Sequence, residues 1–197
     1  MSMAYDIKNV FYLDTELTLE TGTGIGKSDT VQLDLSAYID PISRGRSKGT
    51  GLAIYKVHYS VAAASECATP IGTAESGIIR AGLIAGAGLG SQTNATLTGT
   101  ANSPTANNAL AVMGFDYYGP DAFVGVTAAP GPSAPLNRTF LEPSKEVPYV
   151  CVRDNVCLVS TALIAMQTTS YISMRLECAQ ISLDQATLNQ LLRTQTV

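Results

Sequence analysis

Apolar and polar residues alternate with a period of two along much of the chain, which is the signature of strands half-buried against a core. In DTVQLDLSAYI, Val31, Leu33 and Leu35 alternate with Gln32, Asp34 and Ser36. In GLAIYKVHYSV, Ala53, Tyr55, Val57, Tyr59 and Val61 fall on one face. Leu52, Ile54, Lys56 and His58 fall on the other, which grades from apolar to polar. An earlier strand-like segment lies in NVFYLDTELTLE, carried by Val10, Tyr12 and Leu17-Thr18-Leu19. Further strands are predicted over 77–85, 92–99, 109–117, 121–127, 148–153, 156–165 and 169–182. Turn clusters rich in Gly, Pro, Asn and Ser separate them, such as TGTGIGKSD, TANSPTANN and APGPSAP. About eight to ten strands in one domain is the count of a sandwich or jelly roll rather than of a βαβ fold. The predicted fold is all-β: a jelly-roll-like antiparallel β-sandwich spanning residues 1–197 as a single domain, with one short C-terminal helix near 183–195.

That helix is read from SLDQATLNQLLRTQ, residues 182–195. Ser182 and Gln185 fit a capping box, in which each side chain satisfies a free amide of the first turn. Leu188, Leu191 and Leu192 form a narrow apolar stripe at helical spacing, joined at its start by Leu183. So short a helix is marginal alone and needs a surface to pack on. These leucines are therefore the predicted packing or assembly residues, docking either on their own domain or on a neighbouring subunit.

Composition sharpens the picture. With 197 residues, roughly 70% of the unfolded surface can be buried, enough for a self-sufficient core. Apolar residues make up 46%, which excludes a disordered chain. Charged residues make up 14%, against about 25% in an average soluble domain. The surface must then be covered by small neutral residues or hidden against neighbours. From Ala81 to Phe115 there is no charged residue, a texture suited to close packing between subunits. Assembly through neutral surface is the expectation.

Net charge is −4, with 12 basic and 16 acidic groups, which gives no strong nucleic-acid signal. The one basic cluster, Arg44, Arg46 and Lys48, is spaced by Gly and Ser and reads as a solvated loop. The start, MSMAYDIKNV, carries no apolar h-region, so no signal peptide is expected. The longest uncharged apolar stretch, 155–174, is too polar in its second half to span a bilayer and reads as two strands.

Chemical motifs are sparse. Gly22-Thr23-Gly24-Ile25-Gly26-Lys27-Ser28 approaches a phosphate loop, but its first Gly would fall at Thr21 and strand periodicity follows where a helix is needed. It reads as a Gly-rich turn. Gly82 and Gly86 have GxxxG spacing in a run too short to span a membrane. The single imidazole, His58, sits inside a strand pattern with no nucleophile motif beside it and reads as a surface or structural histidine. Cys67, Cys151, Cys157 and Cys178 form no CxxC pair and read as buried free thiols. A turn centred on Asp154-Asn155 would place Cys151 and Cys157 as diagonal neighbours. Two sequons, at Asn94 and Asn137, read as chance matches. No catalytic, cofactor-binding or metal site is predicted, and the protein is not expected to be an enzyme.

VQLDLSAYIDPIS, GLAIYKVHYSV and MQTTSYISMRLECAQISL resemble strands of the single jelly-roll coat proteins of small icosahedral viruses, of the marine or archaeal type. The resemblance covers the first 60 and last 45 residues, about half of the chain. It implies an eight-stranded, two-sheet capsid subunit that self-assembles into a shell, made in the host cytoplasm and residing in the virion. Its partners would be copies of itself and other coat proteins, with membrane contact only within a virion. One departure is that Met1 to Val10 carries only Lys8, without an Arg-rich arm for packaging a genome. The alternatives are a β-sandwich subunit of a phage tail, fibre or extracellular filament, and a carbohydrate-binding module.

Overall fold

The computed structural model describes residues 10–21, 28–40, 48–65, 69–72, 74–86, 110–122 and 136–195. They form two antiparallel sheets and one helix. The first sheet contains β1 (Phe11–Leu19), β3 (Lys48–Ala62), β7 (Tyr149–Cys151) and β9 (Ser170–Asp184), in the order β1-β9-β3-β7. The second contains β2 (Ser28–Asp34), β4 (Ile78–Ala85), β5 (Ala111–Tyr118), β6 (Leu136–Leu141) and β8 (Asn155–Ile164), in the order β2-β8-β4-β5-β6. Helix α1 (Gln185–Thr194) follows β9 directly. With β6 set aside and the other strands counted along the chain, the sheets read 1-8-3-6 and 2-7-4-5. Successive strands thus wind back and forth between the sheets, which is the order of a jelly roll.

The core lies between the sheets, where alternate side chains of both interdigitate. Leu17, Leu19, Leu52, Ile54, Ile172, Met174, Leu176 and Cys178 meet Ile79, Leu83, Met113, Phe115, Val156 and Leu158. Phe115 is fully buried and stacks on Tyr59, with ring centroids 3.9 Å apart.

Several strands differ from the reading of the alternation. In β3 the expected single phase is broken by a register shift between Ile54 and Lys56 against β9. The inserted residue moves the chain by one pleat. Leu52 and Ile54 therefore share the core face with Val57, Tyr59 and Val61, while Ala53 and Tyr55 pack together outside with Ala179. In β1 the core face is carried by Leu13, Leu17 and Leu19, and Val10 and Tyr12 are exposed. No hairpin joins Cys151 to Cys157. Residues 152–154 carry the chain from one sheet to the other, so Cys151 pairs with Leu52 and Cys157 with Gln32 and Ile84. β6 was not expected. The expected strand 92–99 and residues 123–127 of the strand 121–127 lie outside the described residues, while Asp121 and Ala122 are in a turn.

The helix starts later than its capping box implies. Ser182 is paired with Thr50, and the β9–β3 ladder runs on to Lys48 and Asp184. The backbone cannot turn helical until that ladder ends. Asp184 is accordingly the N-cap, its Oδ1 accepting from Thr187 N at 2.7 Å.

Leu188 is fully buried against Val152 and Leu183, with Leu191 and Leu192 half-buried at the rim of the same cluster. The stripe thus docks on the outer face of its own first sheet. Two glycines make the space. A Cβ at Gly49 would lie 2.7 Å from Leu188 Cδ2, and one at Gly51 would lie 2.8 Å from Leu183 Cδ1.

Candidate functional site

The outer face of the first sheet changes character along its length. The outward row of β3 runs Gly49, Gly51 and Ala53 beneath the helix, and after the bulge Lys56, His58 and Ser60. Opposite these last three stand Glu177, Arg175 and Ser173 of β9, flanked in turn by Tyr12, Asp14 and Glu16 of β1. Three strands so present a three-by-three polar ladder.

Opposite charges are paired within it. His58 Nε2 lies 2.8 Å from Glu177 Oε1, with 46% of the histidine side chain exposed. Arg175 Nε donates to Asp14 Oδ1 at 2.6 Å, and the guanidinium lies over the Tyr12 ring, 5.9 Å from its centroid. Ser173 Oγ donates to Glu16 Oε2 at 2.6 Å. The His58 hydrogen bond holds the Glu177 carboxyl below its ordinary value, helped by the charges of Lys145 and Lys56. Apart from the two lysines, the same residues line an open depression together with Tyr59, Ser60 and Met174. This is a shallow face rich in donors and acceptors, suited to contact with another polar surface. His58 has its Nε2 engaged with a carboxylate, and no group of three metal-ligating side chains occurs among the described residues.

A second polar centre lies at one end of the sandwich. Glu75 is 2% exposed, and its carboxylate accepts from the backbone N–H groups of Gly77, Gln167 and Thr168 at 2.8–3.1 Å. Its carbonyl accepts from Asp121 N. One residue thereby ties three connections together: its side chain joins β3–β4 to β8–β9, and its carbonyl joins β5–β6. Burial, with the nearby Glu75 charge, pushes the Tyr117 phenol up to about 12.

The central strands of the second sheet are buried on their outer face as well. Ile84, Leu110, Cys157 and Val159 form a separate buried cluster there. Beside it Gly82 opposes Gly114, both buried. Arg80 and Asp116, also opposed across β4 and β5, form a two-pronged ion pair with N–O distances of 2.6 and 2.8 Å.

Of the residues singled out by sequence, Leu188, Leu191 and Leu192 come together beneath α1, far along the sheet from the ladder. Cys151, Cys157 and Cys178 are buried free thiols. Burial raises all three, Cys151 to about 11 and Cys178 to about 12. Cys67, Arg44, Arg46, Asn94 and the glycines of 22–26 lie outside the described residues, while Ser28 and Asp29 open a strand. Lys48 begins β3, and Asn137 lies in exposed β6. The ladder itself was missed by sequence reasoning. Its one local signal was the polar end of the Lys56–His58 face. No protein-family model matches the chain, and neither a curated protein nor a solved structure matches it.

Proposed function

We propose that the protein is a structural subunit of a viral capsid that self-assembles into an icosahedral shell. The observation that carries this reading is the strand order: eight strands wound between two sheets as 1-8-3-6 and 2-7-4-5. Jelly rolls serve as capsid subunits, and also as lectin domains and cupins. The segments that resemble coat-protein strands lie in β2 and the turn after it, in β3, and in β9 with the residues leading into it. Low charge and a paired polar outer face suit a protein whose surface is largely shared with neighbours.

Negative-stain electron microscopy of the purified protein tests this directly. Closed particles of discrete size are expected. Open-ended polymers would favour a tail, fibre or filament subunit instead. The sugar-binding alternative draws on the open depression bearing Tyr12, Glu16 and Ser60, since one exposed ring among hydroxyl and carboxylate groups is a surface a glycan can use. A monomer that binds a glycan array would replace the shell reading with that one.

A further inference from the structure

The polar ladder is centred on an inner strand, and this narrows what can lie on it. Over the ladder, β9 is paired on both sides, to β1 and to β3, so its main-chain groups are already used. A partner peptide has no strand to extend there, and only side chains meet an incoming ligand. The depression over them holds about 1060 Å³, at the upper end for ligand pockets. That is room for several small rings in a chain rather than for one.

The charged groups of the ladder are spent on one another. Arg175 binds Asp14, and Glu16 accepts from the Ser173 hydroxyl. Glu177 takes the His58 bond and feels the charges of Lys56 and Lys145. An ionic ligand would have to break these pairs, and a nucleic acid would find no row of unpaired cations to exchange for its counterions. What the face offers instead is hydrogen-bonding capacity held in fixed places. A carboxylate has about four acceptor sites, so the bonds that orient Asp14 and Glu177 leave them able to accept from hydroxyl groups. Ser60 adds an exposed hydroxyl. Tyr12 supplies the apolar part: its ring is 57% exposed, directly opposite Glu177 in register and two residues from Asp14.

We propose that this depression binds a neutral oligosaccharide, the C–H face of one sugar unit lying on the Tyr12 ring and its hydroxyl groups donating to Asp14 and Glu177. An aromatic ring beside a few fixed polar groups is the combination that such a ligand needs, apolar on its ring face and polar around its rim. The site goes beyond the shell reading and does not depend on it. It assigns a ligand class and three contacting residues to one face of the subunit, whether or not the subunit assembles.

The full chain is probed on an array carrying neutral, sialylated and sulfated oligosaccharides, and the strongest neutral hit is titrated by calorimetry. Neutral glycans are expected to be retained, with an affinity that raised salt leaves unchanged because no charge pair is formed. Tyr12→Ala is expected to weaken binding about tenfold or more, and Tyr12→Phe to keep it. Gln190→Ala, at an exposed position of α1, should bind like the native chain. Circular dichroism verifies folding. Where Tyr12→Ala fails to fold, the shift of the native Tyr12 ring resonances on adding the glycan decides instead. No neutral glycan held at millimolar concentration, retention of acidic glycans alone, or binding indifferent to Tyr12→Ala overturns the site. Electron microscopy of the same preparation reads assembly separately. Particles that bind no glycan overturn the site and leave the shell reading in place, while monomers that bind one leave the site and overturn the shell.

Discussion

Arg153 and Gln195 hold the far end of the helix to the point where the chain crosses between sheets. The Arg153 guanidinium donates to the Gln195 carbonyl through Nε at 2.7 Å and again through its terminal nitrogen. The Gln195 side chain accepts from Val152 N at 3.2 Å and donates to Val150 O at 2.7 Å. Gln195 is 3% exposed and Val152 is buried, so removing the side-chain amide strands Val152 N. Gln195→Ala is expected to cost about 1–3 kcal/mol of stability, measured by thermal or denaturant unfolding. Arg153→Lys should recover only part of the native value, since an ammonium lacks the paired guanidinium donors.

Docking of the helix should be lost equally well from either side. Leu188→Ala is expected to cost about 2–5 kcal/mol. Gly49→Val should have a comparable effect by driving Leu188 from its seat. Leu191→Asp is expected to cost less, because Leu191 is only half-buried. Since the stripe packs within its own subunit, these changes should lower the melting temperature of dissociated protein. Normal melting of that protein with loss of particles would place the stripe's main role between subunits.

Glu75 is expected to be the most sensitive polar position at its end of the sandwich. Glu75→Ala strands three main-chain N–H groups, and a loss of about 3 kcal/mol or more is expected. Hydrogen exchange should speed up at Gly77, Gln167 and Thr168 before the core strands are affected. Unchanged protection at those amides would show that the connections hold without the carboxylate.

The buried thiols give a pH dependence of definite sign. Burial raises Cys151 to about 11 and Cys178 to about 12, from an ordinary 9.0. Above pH 9 the unfolded chain releases these protons while the folded one retains them, so the folded state binds more protons and stability falls as pH rises. Below pH 9 both states are protonated and this contribution is flat. Unfolding midpoints measured from pH 7 to 10.5 should decline at the alkaline end, and the decline should lessen in Cys151→Ala with Cys178→Ala. At pH 8, thiol reagents should label these two residues only on unfolding.

Much of the sandwich was legible: half-burial gives β2 and β9 a period of two, and β4, β5 and β8, buried on both faces, stand out instead as short, mainly apolar runs between turn clusters. β6 was not legible. In LNRTFL, Leu136, Asn137, Arg138 and Thr139 are all exposed, so its pairing with β5 leaves no trace in hydropathy. The β3 bulge was hidden for another reason: Ala53 and Tyr55 are apolar yet face outward, and composition does not distinguish an outer apolar patch from a core. The polar ladder needs strand register to be seen. His58 and Glu177 are 119 positions apart, Asp14 and Arg175 are 161 apart, and no local pattern links them.

The winding of the strands bears on how the chain comes to be folded at all. β9 is the central partner of both β1 and β3, yet it follows every other strand in sequence. During synthesis, most of the first sheet therefore waits as separate ribbons until nearly all of the described chain has left the ribosome. Such distant pairings slow folding and prolong the exposure of bare strand edges. A chain of this topology has its most adhesive moment just before its last strand arrives, and crowded synthesis of many copies would make that interval the one most in need of protection.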